Sequence, residues 1–169
     1  MSDLRSFAKR FFKALSPCVT SDYSEIVCTQ FQRQYSQLFP NSLQFVALYE
    51  PMVGEIEVTL LKDFFELKGA KCFFPRWKDL GPGEMEFGID PEALNLILVP
   101  GLAFGERGER MGRGQGYYDR FLPRATHTLK IALTYDELVK PSLKQESWDV
   151  PMDYIFTQTR VIDCKSKRG

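Results

Sequence analysis

The sequence predicts an α/β fold in which an open, largely parallel sheet is flanked by helices. Short apolar runs alternate with segments whose apolar residues recur every three or four positions, and this alternation is typical of strands joined by crossover helices. A chain of 169 residues can bury a sizeable core and suits a single domain over residues 1–169. Its apolar runs are too short to cross a membrane, so we expect no membrane partner.

Two helices are predicted ahead of the first strand. Residues 3–15 carry apolar side chains on one face at spacings of three and four, and Ser16-Pro17 is expected to end this helix. A second helix is predicted over residues 22–38, where Asp22 and Glu25 resemble a capping box.

Apolar or alternating runs bounded by turn residues predict the strands. In chain order they cover residues 43–49, 71–75, 84–89, 96–99, 128–135 and 154–156. A helix that ends at Gly69 is expected between the first two of them. The tail, residues 165–169, is expected to be a frayed and solvated end.

A glycine-rich stretch from Leu98 to Leu122 is the most informative part of the sequence. Glycines alternate with other residues over Gly112–Gly116, directly before residues 117–122, which can open a helix. A glycine loop that leads into a helix directs several backbone N–H groups at one point, where an anion is favoured. Its spacing matches neither the dinucleotide-binding fingerprint nor the P-loop.

Charged side chains crowd the same loop. Arg110 and Arg113 carry forked donors that suit phosphate oxygens. Asp119 is the kind of oxygen ligand that Mg²⁺ prefers when phosphates complete its shell. The stretch therefore indicates a site for nucleotide phosphate and Mg²⁺. The alternative is a glycine-rich surface loop with solvated arginines.

A second informative segment follows the first predicted strand. A loop with proline and glycine ends at Gly54, and the acidic residues Glu55 and Glu57 come next. This position lies past the carboxyl end of a strand, where open α/β sheets bind ligands. The alternative is that both carboxylates stabilise the start of the following helix through its dipole.

Composition narrows the function classes. Lys+Arg and Asp+Glu number 22 each, and this balance argues against a nucleic-acid partner. The four cysteines form no Cys-x-x-Cys pair and there is one histidine, so we expect free thiols in a reducing cytoplasm and no zinc site. A monomer is the default expectation.

The signature run resembles that of the 5-formyltetrahydrofolate cyclo-ligase family. The likeness is carried by Pro-Gly-Leu-Ala-Phe at 100–104, by Gly108 and by Arg-Met-Gly-Arg-Gly-Gln-Gly-Tyr-Tyr-Asp at 110–119, and it extends from Leu4-Arg5 to Thr157. The resemblance implies a fold of the sugar-isomerase/CoA-transferase type. It also implies a ring closure that needs ATP and Mg²⁺ and converts 5-formyltetrahydrofolate to 5,10-methenyltetrahydrofolate.

The same resemblance implies roles for individual residues. ATP would contact Arg5, Arg110, Met111, Gly112, Arg113, Gly114, Gln115, Gly116, Tyr117 and Tyr118. The reduced folate would contact Tyr49, Glu55, Arg113 and Tyr117, with the Glu55 carboxylate accepting N–H groups of the pterin ring. Arg113 and Tyr117 would be catalytic, and Asp119 and Asp153 would bind Mg²⁺.

Three departures from the family pattern keep other functions open. Met1 falls near a position where the family has lysine, Gly105 replaces a usual aspartate, and Trp148 replaces a frequent histidine. These departures favour the alternative of a diverged, non-catalytic folate- or nucleotide-binding protein. A third reading is a nucleic-acid binder that uses the arginines of residues 107–120, although acidic residues in the same region argue against it.

Overall fold

The computed structural model describes residues 2–169 as helices packed against a mainly parallel sheet. The helices are α1 Ser2–Ala14, α2 Pro17–Leu38, α3 Lys62–Leu67, α4 Tyr117–Phe121 and α5 Cys164–Arg168. The strands are β1 Phe45–Ala47, β2 Lys71–Phe73, β3 Leu96–Leu98, β4 Ala103–Gly105, β5 Arg110–Met111, β6 Leu129–Leu133, β7 Val139–Lys140, β8 Tyr154–Phe156 and β9 Val161–Asp163. Met1 lies outside the described residues.

The main sheet confirms the predicted fold class. Its strand order is β2-β1-β3-β6-β8-β9, and every neighbouring pair is parallel except β8 with β9. From β1 the chain adds β2 on one side and then β3 on the other, so the order reverses between β1 and β3. Ligands of open α/β sheets bind at the carboxyl ends of the strands beside such a reversal. The more specific sugar-isomerase/CoA-transferase type stays a prediction.

Both faces of the sheet are buried, as parallel strands require. Val46, Leu96 and Leu98 point into an apolar cluster with α1 and α2. The alternate residues Ala47 and Ile97 point into a second cluster on the opposite face. This alternation explains why the strands read as continuous apolar runs, because neither face is left to solvent.

A second, smaller sheet was not predicted. Its order is β5-β4-β7, with β4 antiparallel to β5 and parallel to β7. The backbone N–H of Leu102 also donates to the carbonyl of Met111 at 2.7 Å. This sheet folds the first half of the glycine-rich signature back on itself and thereby places the loop after β5 beside the carboxyl end of β3.

The start of α2 differs from the prediction. Ser16 and Pro17 do not merely end α1: the Ser16 hydroxyl accepts the Val19 N–H at 3.2 Å, and Pro17 occupies the first turn of α2. Proline is tolerated there because its missing N–H would have no partner inside the helix. The helix therefore begins five residues before the predicted Asp22.

Two further predictions of local structure were wrong. Residues 84–89 form no strand; a single bridge joins Arg76 to Glu86, and Gly88 adopts a φ of 72° that a strand does not accommodate. The tail is not frayed at its start, because α5 is capped by the Asp163 carboxylate, which accepts two backbone N–H groups. Within residues 2–169, no helix combines the length and apolar character needed to span a bilayer.

Candidate functional site

A cavity of about 510 Å³ opens at the carboxyl ends of β1, β2 and β3. The segments that follow these strands contribute Tyr49, Trp77 and Gly101 to its wall. Residues 112–119, the loop that the small sheet places here, form a further part of the wall, together with side chains that include Glu55, Met85 and Arg110. The position matches the reversal of strand order, and the volume is typical of sites for small molecules.

Glu55 and Arg113 meet inside this cavity. Glu55 is 6% exposed, and its Oε1 accepts hydrogen bonds from Nε and Nη2 of Arg113 at 3.1 and 3.0 Å. Its second oxygen accepts the backbone N–H of Met52 at 2.9 Å. The Arg113 guanidinium also lies over the ring of Phe12, 5.2 Å from its centroid. The structure thus pairs a residue predicted to bind folate with one predicted to bind phosphate.

Arg110 is held by three groups around the glycine loop. Its Nη1 donates to the carbonyl of Pro100 at 2.9 Å, and its Nη2 donates to Oδ1 of Asp119 at 2.8 Å. The guanidinium lies 5.6 Å from the ring centroid of Tyr118, and the side chain is only 8% exposed. Gly112 leaves room for this side chain, since a Cβ there would lie 3.1 Å from Arg110 Nη1. Arg110 therefore lines the cavity with a guanidinium whose donors are already paired, and it fixes Asp119.

Asp119 keeps part of its carboxylate available. The Arg110 guanidinium engages its Oδ1. The side chain is 57% exposed and lines the cavity. A carboxylate fixed through one oxygen and open at the other is suited to a hard cation such as Mg²⁺.

The glycine loop is shaped by its own backbone and by α1. Gly114 and Gly116 adopt φ values of 102° and 77°, which residues other than glycine rarely adopt. Arg5 reaches across from α1 and donates from Nη1 to the carbonyl of Gly112 at 2.8 Å. The helix after the loop, α4, has only five residues. An anion at this loop would therefore depend on the loop N–H groups more than on a helix dipole.

Tyr49, Tyr117 and Tyr118 contribute aromatic rings with hydroxyl groups to the cavity wall. The Tyr49 hydroxyl donates to the carbonyl of Ile56 at 3.2 Å, and burial raises the pKa of this phenol well above its ordinary value. Desolvation also raises the pKa of Tyr118, although the nearby Arg110 guanidinium opposes the shift. Both phenols are therefore neutral at physiological pH, and Tyr49 acts as a hydrogen-bond donor.

Tyr117 faces an aromatic residue that the sequence did not single out as a site residue. Its ring centroid lies 6.1 Å from that of Trp77, with the planes inclined by 30°. Trp77 is partly exposed and lines the cavity rather than the core. Trp77 lies in the loop past the carboxyl end of β2. This position could have identified it as a site residue, because residues at that edge of a parallel sheet contact ligands.

Three predicted site residues lie away from the cavity wall: Arg5, which donates to the glycine loop as described above, Met111 and Asp153. The Met111 side chain is buried in the main apolar core and packs there instead of contacting a ligand. Asp153 precedes β8, where its Oδ2 accepts the backbone N–H of Lys130 at 2.9 Å and its Oδ1 lies 3.5 Å from Lys165 Nζ. Asp153 is absent from the cavity wall formed by residues 2–169, so the structure does not bring it together with Asp119 as a shared metal site.

One of the three departures from the family pattern, Gly105, has a local explanation. A Cβ at Gly105 would overlap Oε2 of Glu109, so an aspartate here would require this buried carboxylate to move. Trp148 is 71% exposed and does not line the cavity. The Met1 position lies outside the part of the chain that the structure describes.

The arginines of residues 107–120 give no support to a nucleic-acid interface. Arg107 and Arg120 donate to the carbonyls of Lys167 and Pro82, at 3.3 and 2.8 Å. Arg110 and Arg113 are paired with carboxylates. All four guanidiniums thus hold parts of this chain together, which differs from a basic surface that displays its charge to phosphates.

Comparison with known sequences and structures places the chain among folate enzymes. The sequence model described as the 5-formyltetrahydrofolate cyclo-ligase family matches residues 88–158. The 5-formyltetrahydrofolate cyclo-ligase of Mycolicibacterium smegmatis is 32% identical over 146 residues, which cover 69% of this chain and 75% of that protein. The mouse 5-formyltetrahydrofolate cyclo-ligase is 28% identical over 146 residues, covering 66% of this chain and 71% of the relative.

Two solved structures share the fold over nearly the whole chain. The 5,10-methenyltetrahydrofolate synthetase of Aquifex aeolicus superposes with a TM-score of 0.79 at 29% identity, covering 97% of this chain and 92% of that one. The 5,10-methenyltetrahydrofolate synthetase of Mycoplasma pneumoniae gives a TM-score of 0.81 at 25% identity, covering 93% and 98%. With the signature loop and the fold in agreement, this chain belongs to the 5-formyltetrahydrofolate cyclo-ligase family.

Proposed function

We propose that this protein is a 5-formyltetrahydrofolate cyclo-ligase, which uses ATP to close 5-formyltetrahydrofolate to 5,10-methenyltetrahydrofolate and releases ADP and phosphate. One observation carries the proposal: a single cavity is lined both by Glu55, which suits a pterin, and by the loop from Gly112 to Asp119, which suits phosphates. The reaction requires these two ligands to meet, because the γ-phosphoryl group must reach the formyl oxygen.

The folate end of the cavity is supported by its carboxylate and its aromatic wall. The 2-amino group and N3–H of a pterin point in the same direction, and one carboxylate accepts both. Glu55 is the buried carboxylate in this wall. Tyr49, Tyr117 and Trp77 supply flat apolar surface for the rings of a folate.

The phosphate end is supported by the glycine loop and by Asp119. Across residues 2–169 no cluster of three or more His, Cys, Asp and Glu side chains could hold a metal by itself. Mg²⁺ commonly binds through one carboxylate while substrate phosphates complete its shell. Asp119 fits that role through its available oxygen, and bound Mg²⁺ would neutralise charge on the phosphates. The role of Asp153 as a metal ligand stays a prediction that its position does not support.

The chemistry asks for positioning more than for a protein nucleophile. The formyl oxygen attacks the γ-phosphorus and ADP leaves, which gives an imino-phosphate at N5. N10 then attacks the formyl carbon, the five-membered ring closes, phosphate leaves and the N10 proton is released. Arg113 would neutralise charge on the transferring phosphoryl group, and Tyr117 would hold the folate in line. We further propose a cytoplasmic monomer, consistent with the four free thiols.

The direct test is the formation of product by the purified chain. We expect methenyltetrahydrofolate absorbance to appear when 5-formyltetrahydrofolate, ATP and Mg²⁺ are all present, and to be lost when ATP or Mg²⁺ is omitted. Product formed without ATP would contradict the phosphorylation route. Folate binding by calorimetry without any product would instead identify a non-catalytic binding protein.

Replacing Arg110 by lysine tests whether this residue positions Asp119. Lysine lacks the fork that reaches Pro100 and Asp119 together. We therefore expect Arg110→Lys to raise the Mg²⁺ concentration for half-maximal activity by about tenfold or more, the usual cost of losing a group that orients a metal ligand. The KM for ATP at saturating Mg²⁺ should change little.

Arg120→Lys is the matched control for this experiment. Arg120 lies on the same short helix as Asp119 but donates to the carbonyl of Pro82. Its replacement should leave the Mg²⁺ dependence unchanged. If Arg110→Lys instead raised the KM for ATP and left the Mg²⁺ dependence alone, Arg110 would be acting on phosphate directly.

A further inference from the structure

The pairing of Glu55 with Arg113 occupies the group that a pterin needs. Both fork donors of Arg113, Nε and Nη2, point at Oε1 of Glu55, at 3.1 and 3.0 Å. The other carboxylate oxygen already accepts the Met52 N–H. Arg113 thus fills both acceptor sites of Oε1 and the Met52 N–H takes one of Oε2, so an entering pterin must compete with Arg113 for this carboxylate.

The competing groups are chemically alike. A guanidinium presents two N–H groups on neighbouring nitrogens joined through one carbon. The edge of a 2-amino-4-oxopteridine presents N3–H and the 2-amino N–H in the same arrangement. Arg113 therefore occupies the position on Glu55 that the edge of the pterin would take. The guanidinium and the pterin cannot both bind Oε1.

Resting on the proposed function, we infer that Glu55 holds Arg113 until the folate binds. The pterin then displaces Arg113 from Glu55, and the freed guanidinium completes the phosphate site. Release costs Arg113 its charged hydrogen bonds to Glu55 and its contact with the Phe12 ring. The pterin satisfies Glu55, and the phosphates of ATP provide the new partner for Arg113.

This exchange couples the two substrates. A ligand that frees Arg113 makes the second ligand bind more tightly, and the coupling is reciprocal by thermodynamic necessity. Without folate, ATP meets a loop whose Arg113 is neutralised by Glu55. Transfer of the γ-phosphoryl group to water, which would yield ADP and phosphate without ring closure, is thereby disfavoured.

The test measures binding of the Mg²⁺ complex of the β,γ-imido analogue of ATP by calorimetry. For the wild-type chain we expect 5-formyltetrahydrofolate to tighten analogue binding by about fivefold or more, within the usual range of coupling between sites. For Glu55→Gln we expect the analogue alone to bind about fivefold more tightly than to wild type, because a neutral amide retains Arg113 weakly. Added folate should then give no further gain.

Two variants separate this exchange from a general change in charge. Glu50 lines the same cavity and is exposed, so Glu50→Gln removes an equal charge without touching the pair. It should leave both affinity and coupling near wild type. Glu55→Gln placed on an Arg113→Met background should give no gain in analogue affinity, because the released group is missing.

The outcomes also separate the exchange from the proposed function. Product formation without coupling between the ligands overturns the exchange and leaves the cyclo-ligase intact. An equal gain from Glu50→Gln, or a gain from Glu55→Gln that persists without Arg113, overturns it as well. If the wild-type chain binds no folate and forms no product, both the exchange and the proposed function are contradicted. Circular dichroism of each variant checks that the fold is retained.

Discussion

Asp119→Ala is expected to form methenyltetrahydrofolate more than about tenfold more slowly than the wild type, as is usual when a group that stabilises charge is lost. The substitution removes the carboxylate oxygen available to Mg²⁺. It also leaves the nearly buried Arg110 guanidinium with only the Pro100 carbonyl and the Tyr118 ring as partners. Initial rates at saturating folate, measured across a range of Mg²⁺ concentrations, give the size of the loss.

A second aspartate provides the control for this substitution. Asp63 stands in the first turn of α3, as Asp119 stands in the first turn of α4, and it is exposed away from the cavity wall. Asp63→Ala should therefore keep the wild-type rate. Wild-type turnover in Asp119→Ala would remove the proposed metal ligand from the site.

Phe31→Ala is expected to destabilise the fold by about 3–5 kcal/mol, the usual cost of removing a buried aromatic ring. Phe31 on α2 is fully buried, and its ring lies 5.1 to 6.4 Å from five other aromatic rings. These neighbours are Tyr35, Phe39, Phe64, Phe65 and Phe156. They come from α2 and the residue that caps its end, from α3 and from β8, so a void here loosens the contact between helices and sheet.

Urea unfolding followed by circular dichroism measures this loss. Phe7 on α1 is 40% exposed, and Phe7→Ala should cost about 1 kcal/mol or less, as substitutions near the surface do. An equally small cost at Phe31 would mean that the surrounding rings collapse into the space. Either variant can be assayed for product, which separates a change in stability from a change in the site.

The sequence predicts the main sheet better than the small one. Apolar runs identify β3, β6 and β8 because strands buried on both faces are mostly apolar, with Lys130 as the charged residue within β6. The strands β5 and β7 have only two residues each, which is too short for any periodicity to register, and the three residues of β4 include Gly105 within the glycine-rich stretch. Their pairing depends on contacts between distant parts of the chain.

The site was predicted as a set of residues and not as a set of partners. Chemistry and resemblance pointed to Glu55, Arg113, Arg110 and Asp119, and all four line the cavity. That Arg113 pairs with Glu55, 58 positions away, follows only from the fold. The same limit explains the prediction of Asp153 as a metal ligand. Its carboxylate is chemically suitable, but the sequence does not give its position relative to the cavity.

The bond from Arg5 of α1 to the glycine loop has a consequence for synthesis of the protein. Arg5 and its partner Gly112 lie 107 positions apart. At ribosomal rates, about 5 to 20 s separate their translation. During this interval Phe12, on the same helix, has neither Arg113 nor the later strands to pack against. The nascent first helix therefore keeps apolar surface exposed during this interval, and the cavity is completed only after the loop has been made.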